Sequence, residues 1–115
     1  RYPFFVKYDG NYAGFVLVSH YTPKDCDSQL WTINEFFIMS KYRQKGIGRT
    51  VAMRIFDMYT GDWEVSQIWS NEPSRRFWEK VISESRSGQY RIERRYRDGI
   101  DRQFIFFCND ETQRT

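Results

Sequence analysis

The stretch that most constrains the fold is residues 40–49, which place two glycines and several cations between an apolar segment and a helical pattern. Residues 31–39 are apolar nearly throughout, as expected of a strand buried on both faces. From residue 46 to residue 59 apolar side chains recur at helical spacing, and Gly61 with Asp62 ends the pattern. The sequence therefore predicts a strand that leads through a glycine-bearing loop directly into an amphipathic helix.

Further strand and helix signals lie on both sides of this unit. Two β-hairpins are predicted around Asp-Gly turns, with strands at residues 4–8, 12–19, 90–96 and 103–107. Residues 63–69 predict a strand parallel to the one at residues 31–39. Asn71 with Pro73 begins a second helix that ends near Ser85. Residues 21–30 are predicted as a loop and residues 109–115 as a frayed tail. The expected fold is α/β (α+β), a mixed and largely antiparallel sheet flanked by helices.

Composition excludes several kinds of site. The 115 residues fit one domain, and no apolar run approaches the roughly 20 residues of a membrane-spanning helix. His20 is the only histidine, and Cys26 and Cys108 have no CxxC partner, so neither a zinc site nor a Cys/His or Ser/His pair can be assembled. We therefore expect a cytoplasmic protein without a metal and without a membrane partner.

Residues 86–102 are locally basic, because six arginines stand against three acidic residues. The favoured interpretation is a solvated hairpin whose charges alternate outward. Nucleic-acid binding is the alternative, and it is not favoured, because acidic residues interrupt the basic ones.

Residues 43–49 have the chemistry of an anion site. Their two glycines let the backbone approach a ligand, a helix N-terminus presents N–H groups, and Arg43, Lys45 and Arg49 add charge suited to a pyrophosphate. The spacing is not that of a P-loop, and it is not the Rossmann pattern, because Val51 stands where the third glycine would be. A plain strand-to-helix turn with solvated charges is the alternative.

Two motifs resemble those of the GNAT superfamily of N-acetyltransferases. Residues 43–48, Arg-Gln-Lys-Gly-Ile-Gly, match the acetyl-CoA signature Arg/Gln-x-x-Gly-x-Gly/Ala. Residues 35–39 resemble the family's bulged strand, and residues 71–78 resemble its second motif, Asn-x-x-Ala-x-x-Phe-Tyr. The resemblance covers roughly residues 4–107. It implies a GNAT-like acyl-CoA N-acyltransferase fold in a single domain, residues 1–115, that lacks the family's first strand and first helices.

The resemblance also implies acetyl-CoA as cosubstrate. Backbone amides of residues 44–49 would bind its pyrophosphate, and Phe37, Ile38 and Met39 would pair with its pantetheine arm in the manner of an added strand. Asn71 would cap the second helix and face the cofactor, with a cap alone as the alternative. The implied cofactor-binding residues are Phe37, Ile38, Met39, Arg43, Gln44, Lys45, Gly46, Ile47, Gly48, Arg49, Asn71, Ser74 and Trp78.

The implied activity is direct acetyl transfer in a ternary complex to a primary amine on a small molecule or peptide. Glu35 is the candidate general base, with an ion pair or a strand-edge position as its alternative. The Ile38 N–H is the candidate donor to the thioester carbonyl. The family's general acid, a tyrosine, is replaced by Trp78, which cannot donate a proton and is expected to pack against cofactor or core. A non-catalytic acyl-CoA-binding or sensing module is the alternative function. If the front segment is missing, apolar surface of the sheet is left uncovered, and the chain is then expected to pair with another copy, as a homodimer, or with its own cleaved fragment.

Overall fold

The computed structural model describes residues 1–22, 29–86 and 89–109 and divides into two compact units, Arg1–Tyr59 and Thr60–Thr115. The first unit contains β1 (Tyr2–Tyr8), β2 (Asn11–Tyr21), β3 (Leu30–Ile38), a 3₁₀ segment (Ser40–Lys45) and α1 (Ile47–Met58). The second contains β4 (Gly61–Ile68), α2 (Glu72–Arg86), β5 (Tyr90–Arg97) and β6 (Ile100–Asn109). Residues 23–28 of the predicted loop and residues 110–115 of the predicted tail lie outside the described residues. A single domain stays a prediction.

Both predicted hairpins are confirmed. In each of the two turns Asp and Gly adopt positive φ, at 54° and 81° for Asp9 and Gly10 and at 55° and 78° for Asp98 and Gly99. Positive φ at both central residues is the geometry that suits the right-handed twist of antiparallel strands, and Asp-Gly tolerates it. As a result β1 pairs with β2 and β5 pairs with β6, and Asn11 already belongs to β2.

A bulge divides β3 of the first unit. Leu17 of β2 faces Glu35, whereas the next residue, Val18, faces Ile33, so Asn34 is the extra residue on β3. Beyond the bulge, Ile38 is buried, while Glu35 and Phe37 are exposed. The prediction that this strand is buried on both faces is therefore wrong.

The core of the first unit lies on the side of the sheet that carries Ile38. Ala13, Ile38 and Tyr42 are buried there, and partly buried apolar side chains pack against them, namely Val6, Phe36, Met39, Ile47 and Val51. Since Ile47 and Val51 belong to α1, the helix packs through its predicted apolar face. This packing holds the start of α1 against the end of β3.

In the second unit β6 pairs with both β4 and β5. Its core is formed by the apolar side chains Trp63, Val65, Trp78, Val81, Ile82, Phe104, Ile105 and Phe107. Asn109 is 2% exposed and pairs with Gly61, the first residue of β4. The predicted tail therefore begins later than residue 109, because β6 continues to the start of β4. Within the described residues, neither helix is long and apolar enough to cross a membrane.

Candidate functional site

The bulge sets which face of β3 each candidate residue occupies. The hydroxyl of Ser19 donates a hydrogen bond to Oδ1 of the bulged residue Asn34. Glu35 and Phe37 share one face of the strand because side chains alternate beyond this point. The Glu35 carboxylate is exposed, and it forms no ion pair with any residue that the structure describes. The ion-pair alternative for Glu35 thus finds no partner in the described part of the chain.

The backbone of Ile38 is directed away from β2. The N–H of the next residue, Met39, donates to the carbonyl of Ala13 across the ladder at 2.8 Å. The backbone groups of successive strand residues point to opposite edges of the strand. The N–H and the carbonyl of Ile38 therefore point to the edge of β3 that faces away from β2. The Ile38 carbonyl accepts a hydrogen bond from Arg43 Nε at 2.7 Å. Of the two Ile38 groups predicted to pair with pantetheine, the carbonyl thus already has an internal partner.

A 3₁₀ segment occupies most of the predicted loop. It starts after Met39, whose carbonyl accepts the Tyr42 N–H at 2.8 Å, and it ends at Gly46. Gly46 has φ 73° and ψ 8°, a left-handed conformation that glycine adopts without steric cost. A Cβ at this position would meet no atom within 4 Å, so the backbone here is open to a ligand.

The first turn of α1 begins directly at Gly46. None of the side chains that the structure describes caps it, and the turn contains no acidic residue. The first helical hydrogen bond runs from the Thr50 N–H to the Gly46 carbonyl at 3.2 Å. A helix start without a side-chain cap leaves its N-terminal amides to solvent or to an anion, which the helix dipole favours. Backbone amides near Ile47 and Gly48 therefore suit a pyrophosphate.

The predicted cations surround this helix start. Arg43, Lys45 and Arg49 are all exposed. The Arg43 guanidinium lies 5.9 Å from the centroid of the Phe37 ring, and Lys45 Nζ lies 6.0 Å from that of Tyr8. Three exposed cations beside an uncapped helix fit a doubly charged diphosphate. The side chain of Gln44 lies outside what the structure describes.

The sequence did not single out Gly14, which faces Ile38 across the β2–β3 ladder. A Cβ on Gly14 would overlap the carbonyl oxygen of Phe37 and lie 3.1 Å from the Cα of Ile38. Only glycine lets β2 approach β3 so closely at Phe37 and Ile38, two of the three residues whose backbone was predicted to hold pantetheine. A glycine inside a strand pattern was the available signal, because it marks close backbone approach.

The second motif starts α2 in the second unit. Asn71 caps the helix, since its Oδ1 accepts the Ser74 N–H at 3.3 Å. Trp78 is 6% exposed, and its ring packs edge-on against Phe77 at 5.0 Å. The predicted packing role of Trp78 agrees with this burial. Contacts of Asn71, Ser74 and Trp78 with a cofactor stay predictions.

Comparison with known proteins identifies the family. The profile of the Acetyltransferase (GNAT) family matches residues 1–82, more than half of the chain. No curated protein matches the chain.

Solved structures show the same fold at low sequence identity. Arabidopsis thaliana Naa50, in complex with the bisubstrate analogue CoA-Ac-MVNAL, has a TM-score of 0.65 and 16% identity over 90% of this chain and 70% of its own. The ribosomal-protein-S18-alanine N-acetyltransferase of Escherichia coli has a TM-score of 0.64 and 18% identity, and the match covers 95% of this chain and 69% of that enzyme. Arabidopsis thaliana NAA60, also in complex with a bisubstrate analogue, has a TM-score of 0.63 and 16% identity, and the match covers 89% of this chain and 69% of NAA60.

These matches confirm the predicted fold class, a GNAT-like α/β fold whose strands are mostly antiparallel. The bulged strand and the glycine-bearing helix start both lie within the residues that the family profile matches. The chain therefore belongs to the GNAT family of acetyltransferases.

Proposed function

We propose that this chain transfers an acetyl group from acetyl-CoA to a primary amine of a small molecule or a peptide, directly and within a ternary complex. The observation that carries the proposal is the start of α1, where Gly46 is left-handed and no described side chain caps the helix. Arg43, Lys45 and Arg49 are exposed there. Acyl transfer is the general activity of the family. The amine acceptor and the residue roles below are parts of the proposal.

The residues present suit the cosubstrate at two places. Backbone amides of residues 44–49, the left-handed Gly46 and the three cations would hold the pyrophosphate. The edge of β3 that faces away from β2 would pair with the pantetheine amides at Ile38, as an added strand does. Because Arg43 Nε already occupies the Ile38 carbonyl, this pairing requires the carbonyl to accept a second hydrogen bond or Arg43 to turn toward the phosphates.

Glu35 would serve as the general base. Amines with a pKa near 10.4 are mostly protonated at neutral pH, so the acceptor must lose a proton before its nitrogen attacks the thioester carbonyl carbon. Glu35 would accept that proton, directly or through a water molecule. The exposed carboxylate and its place two residues before Phe37 on the same face of β3 support this role. The Ile38 N–H would donate to the carbonyl oxygen as negative charge develops there.

The leaving thiolate has no assigned proton donor among the residues that the structure describes. Trp78 stands in the family's tyrosine position, it is buried, and an indole N–H does not release a proton in the accessible pH range. The thiolate would therefore take its proton from water after the carbon–sulfur bond breaks. This feature also favours the second candidate function, an acyl-CoA-binding or sensing module, which predicts cofactor binding without turnover.

The test is release of the CoA thiol from acetyl-CoA in the presence of a panel of primary amines and peptides. We expect amine-dependent thiol release by the wild-type chain. Replacing Glu35 by Gln should lower kcat/KM by about 100-fold, the lower end of the effect of a general base, and leave CoA affinity unchanged. Saturable CoA binding without thiol release for any amine would favour the non-catalytic module.

Asp9→Asn is the matched control for Glu35→Gln. It removes one exposed carboxylate from the same unit, and asparagine tolerates the left-handed turn position that Asp9 occupies. The control should keep wild-type kcat/KM. An equal loss in both variants would mean that the effect comes from net charge, and it would remove Glu35 from the mechanism.

A further inference from the structure

Trp69, the residue directly after β4, is the centre of a cationic cluster in the second unit. The guanidinium carbon of Arg75 lies 4.2 Å from the centroid of its ring, and that of Arg94 lies 3.9 Å away. The backbone N–H of Trp69 donates to the carbonyl of Asp101 at 2.8 Å, which ties the Trp69 backbone to β6. Guanidinium groups at these distances are attracted to the aromatic ring. Two guanidinium groups are therefore held beside one indole.

The two arginines differ in how their charge is balanced. Arg94 donates from Nη2 to Asp101 Oδ2 at 2.7 Å and from Nε to Oδ1 at 3.1 Å. These bonds hold the pKa of Asp101 below its usual value. Arg75 donates through Nε to the Trp69 carbonyl at 2.8 Å, and no carboxylate of the described residues pairs with it. Within the described part of the chain, one positive charge of the cluster thus has no acidic partner.

Arg75 is held in position before any ligand arrives. Its Nε bond and its contact with the indole fix the side chain, and the residue is the fourth of α2, close to the positive end of the helix dipole. Since Nε is occupied, the two Nη groups remain for another acceptor. A planar guanidinium with free Nη groups binds a carboxylate or a phosphate through two parallel hydrogen bonds.

A buried amide in the same strand row has one donor group, Gln67 Nε2, without a partner among the described residues. Gln67 is 4% exposed and precedes Trp69 by two residues on β4. Its Oε1 accepts a hydrogen bond from Gln103 Nε2 at 2.9 Å, but its own Nε2 has none. Gln103 faces both Gln67 and Arg94 in the strand register, so the unpaired donor belongs to the same row as the cluster. A buried donor without an acceptor is costly, and a polar ligand would satisfy it.

We propose that Arg75, held by Trp69, binds an oxyanion of a bound reactant, with the Gln67 amide as a neighbouring donor. The chemistry is a two-point guanidinium–oxyanion pair. The oxyanion is either a carboxylate on the amine acceptor or the 3′-phosphate of CoA. The assignment of the anion to a reactant rests on the proposed acetyltransferase function, whereas anion binding at Arg75 does not.

Anion binding itself is tested without cofactor or turnover. Inorganic phosphate and glutarate are titrated into the labelled protein, and the indole N–H signal of Trp69, assigned with Trp69→Phe, is followed by NMR. The wild type should show a saturable shift that Arg75→Gln weakens by at least about ten-fold, as expected for loss of a charged two-point contact. The control Arg76→Gln removes the next cation on α2, which is ion-paired with Glu72, and should keep the wild-type response.

Arg75→Lys tests whether a weaker response of Arg75→Gln comes only from misfolding. It keeps the charge but lacks the planar fork, so its affinity for both probes should lie between those of the wild type and Arg75→Gln. A wild-type protein that shows no saturable shift, or an Arg75→Gln variant that responds like the wild type, would overturn the anion site.

Two comparisons then identify the source of the oxyanion. If it is the cofactor's phosphate, Arg75→Gln weakens binding of CoA but not of 3′-dephospho-CoA. If it belongs to the acceptor, the wild type prefers glutamate-containing amines over their glutamine counterparts in kcat/KM, and Arg75→Gln removes the preference. The assignment to a reactant would be overturned if Arg75→Gln matched the wild type both in CoA binding and in its preference between glutamate-containing and glutamine-containing amines. A protein that binds phosphate through Arg75 but does not bind CoA would instead contradict the proposed function and leave the anion site standing.

Discussion

At the scale of single residues, Gly14 is the position where one added methyl group should disturb the strand pairing most. Gly14→Ala would force its Cβ against the Phe37 carbonyl, so β2 and β3 must separate at Ile38. We expect a loss of roughly 1–3 kcal/mol in the free energy of unfolding, as for overpacking, together with weaker CoA binding. Chemical denaturation and calorimetric titration measure the two effects.

Gly99→Ala is the control for this variant. Gly99 has a φ of 78°, and a Cβ there would meet no atom, so alanine adds backbone strain without displacing β3. It should lower stability by about 1 kcal/mol, the cost of a left-handed alanine, and leave CoA affinity unchanged. Unchanged CoA affinity in Gly14→Ala would show that the β3 edge does not hold the cofactor.

Structural roles that depend only on local chemistry were predictable from the sequence. Gly46 is left-handed and Asn71 caps α2, because each requirement is set by the residue's own backbone and its near neighbours. Contacts between distant residues were not predictable. The clash that Gly14 avoids and the row formed by Gln67, Gln103 and Arg94 depend on strand register, which local patterns do not reveal.

At the scale of secondary-structure elements, turn chemistry predicted more than apolar content did. The two Asp-Gly pairs identified both hairpins, since this dipeptide tolerates positive φ at both positions. The apolar run of β3 identified a strand but gave the wrong burial, because Phe37 remains 46% exposed. An apolar run shows that a strand can be buried, but the packing of neighbouring elements decides which face is.

The cap of α2 gives a prediction at this scale. Asn71→Ala removes the acceptor for the Ser74 N–H and should destabilise the chain by about 1 kcal/mol. Asn71→Asp keeps a capping oxygen but removes the side-chain amide donors, so it should keep wild-type stability. If Asn71 also contacts the cofactor through its amide, the Asp variant will bind CoA more weakly, as measured by calorimetry. Wild-type affinity in the Asp variant would leave Asn71 as a cap alone.

At the scale of the whole molecule, the family is established and the activity is a proposal. The GNAT profile and the solved structures agree on the fold, and this chain spans about two thirds of the length of the structures it matches. The predicted homodimer stays a prediction. Exposed aromatic residues of the first unit, such as Phe5 at 70% and Phe37 at 46%, are apolar surface that such an assembly would cover.

The most direct test of the central claim is calorimetric titration of CoA into the wild type, Gly46→Ala and Gly10→Ala. Both glycines have positive φ and open space at the Cβ position, so the two variants carry matched backbone strain. Only Gly46 lies at the uncapped start of α1. We predict CoA binding by the wild type and by Gly10→Ala, and an affinity at least about ten-fold lower in Gly46→Ala, since the backbone amides beside Gly46 would hold the pyrophosphate. Absence of CoA binding by the wild type, or equal affinities in all three proteins, would contradict the account.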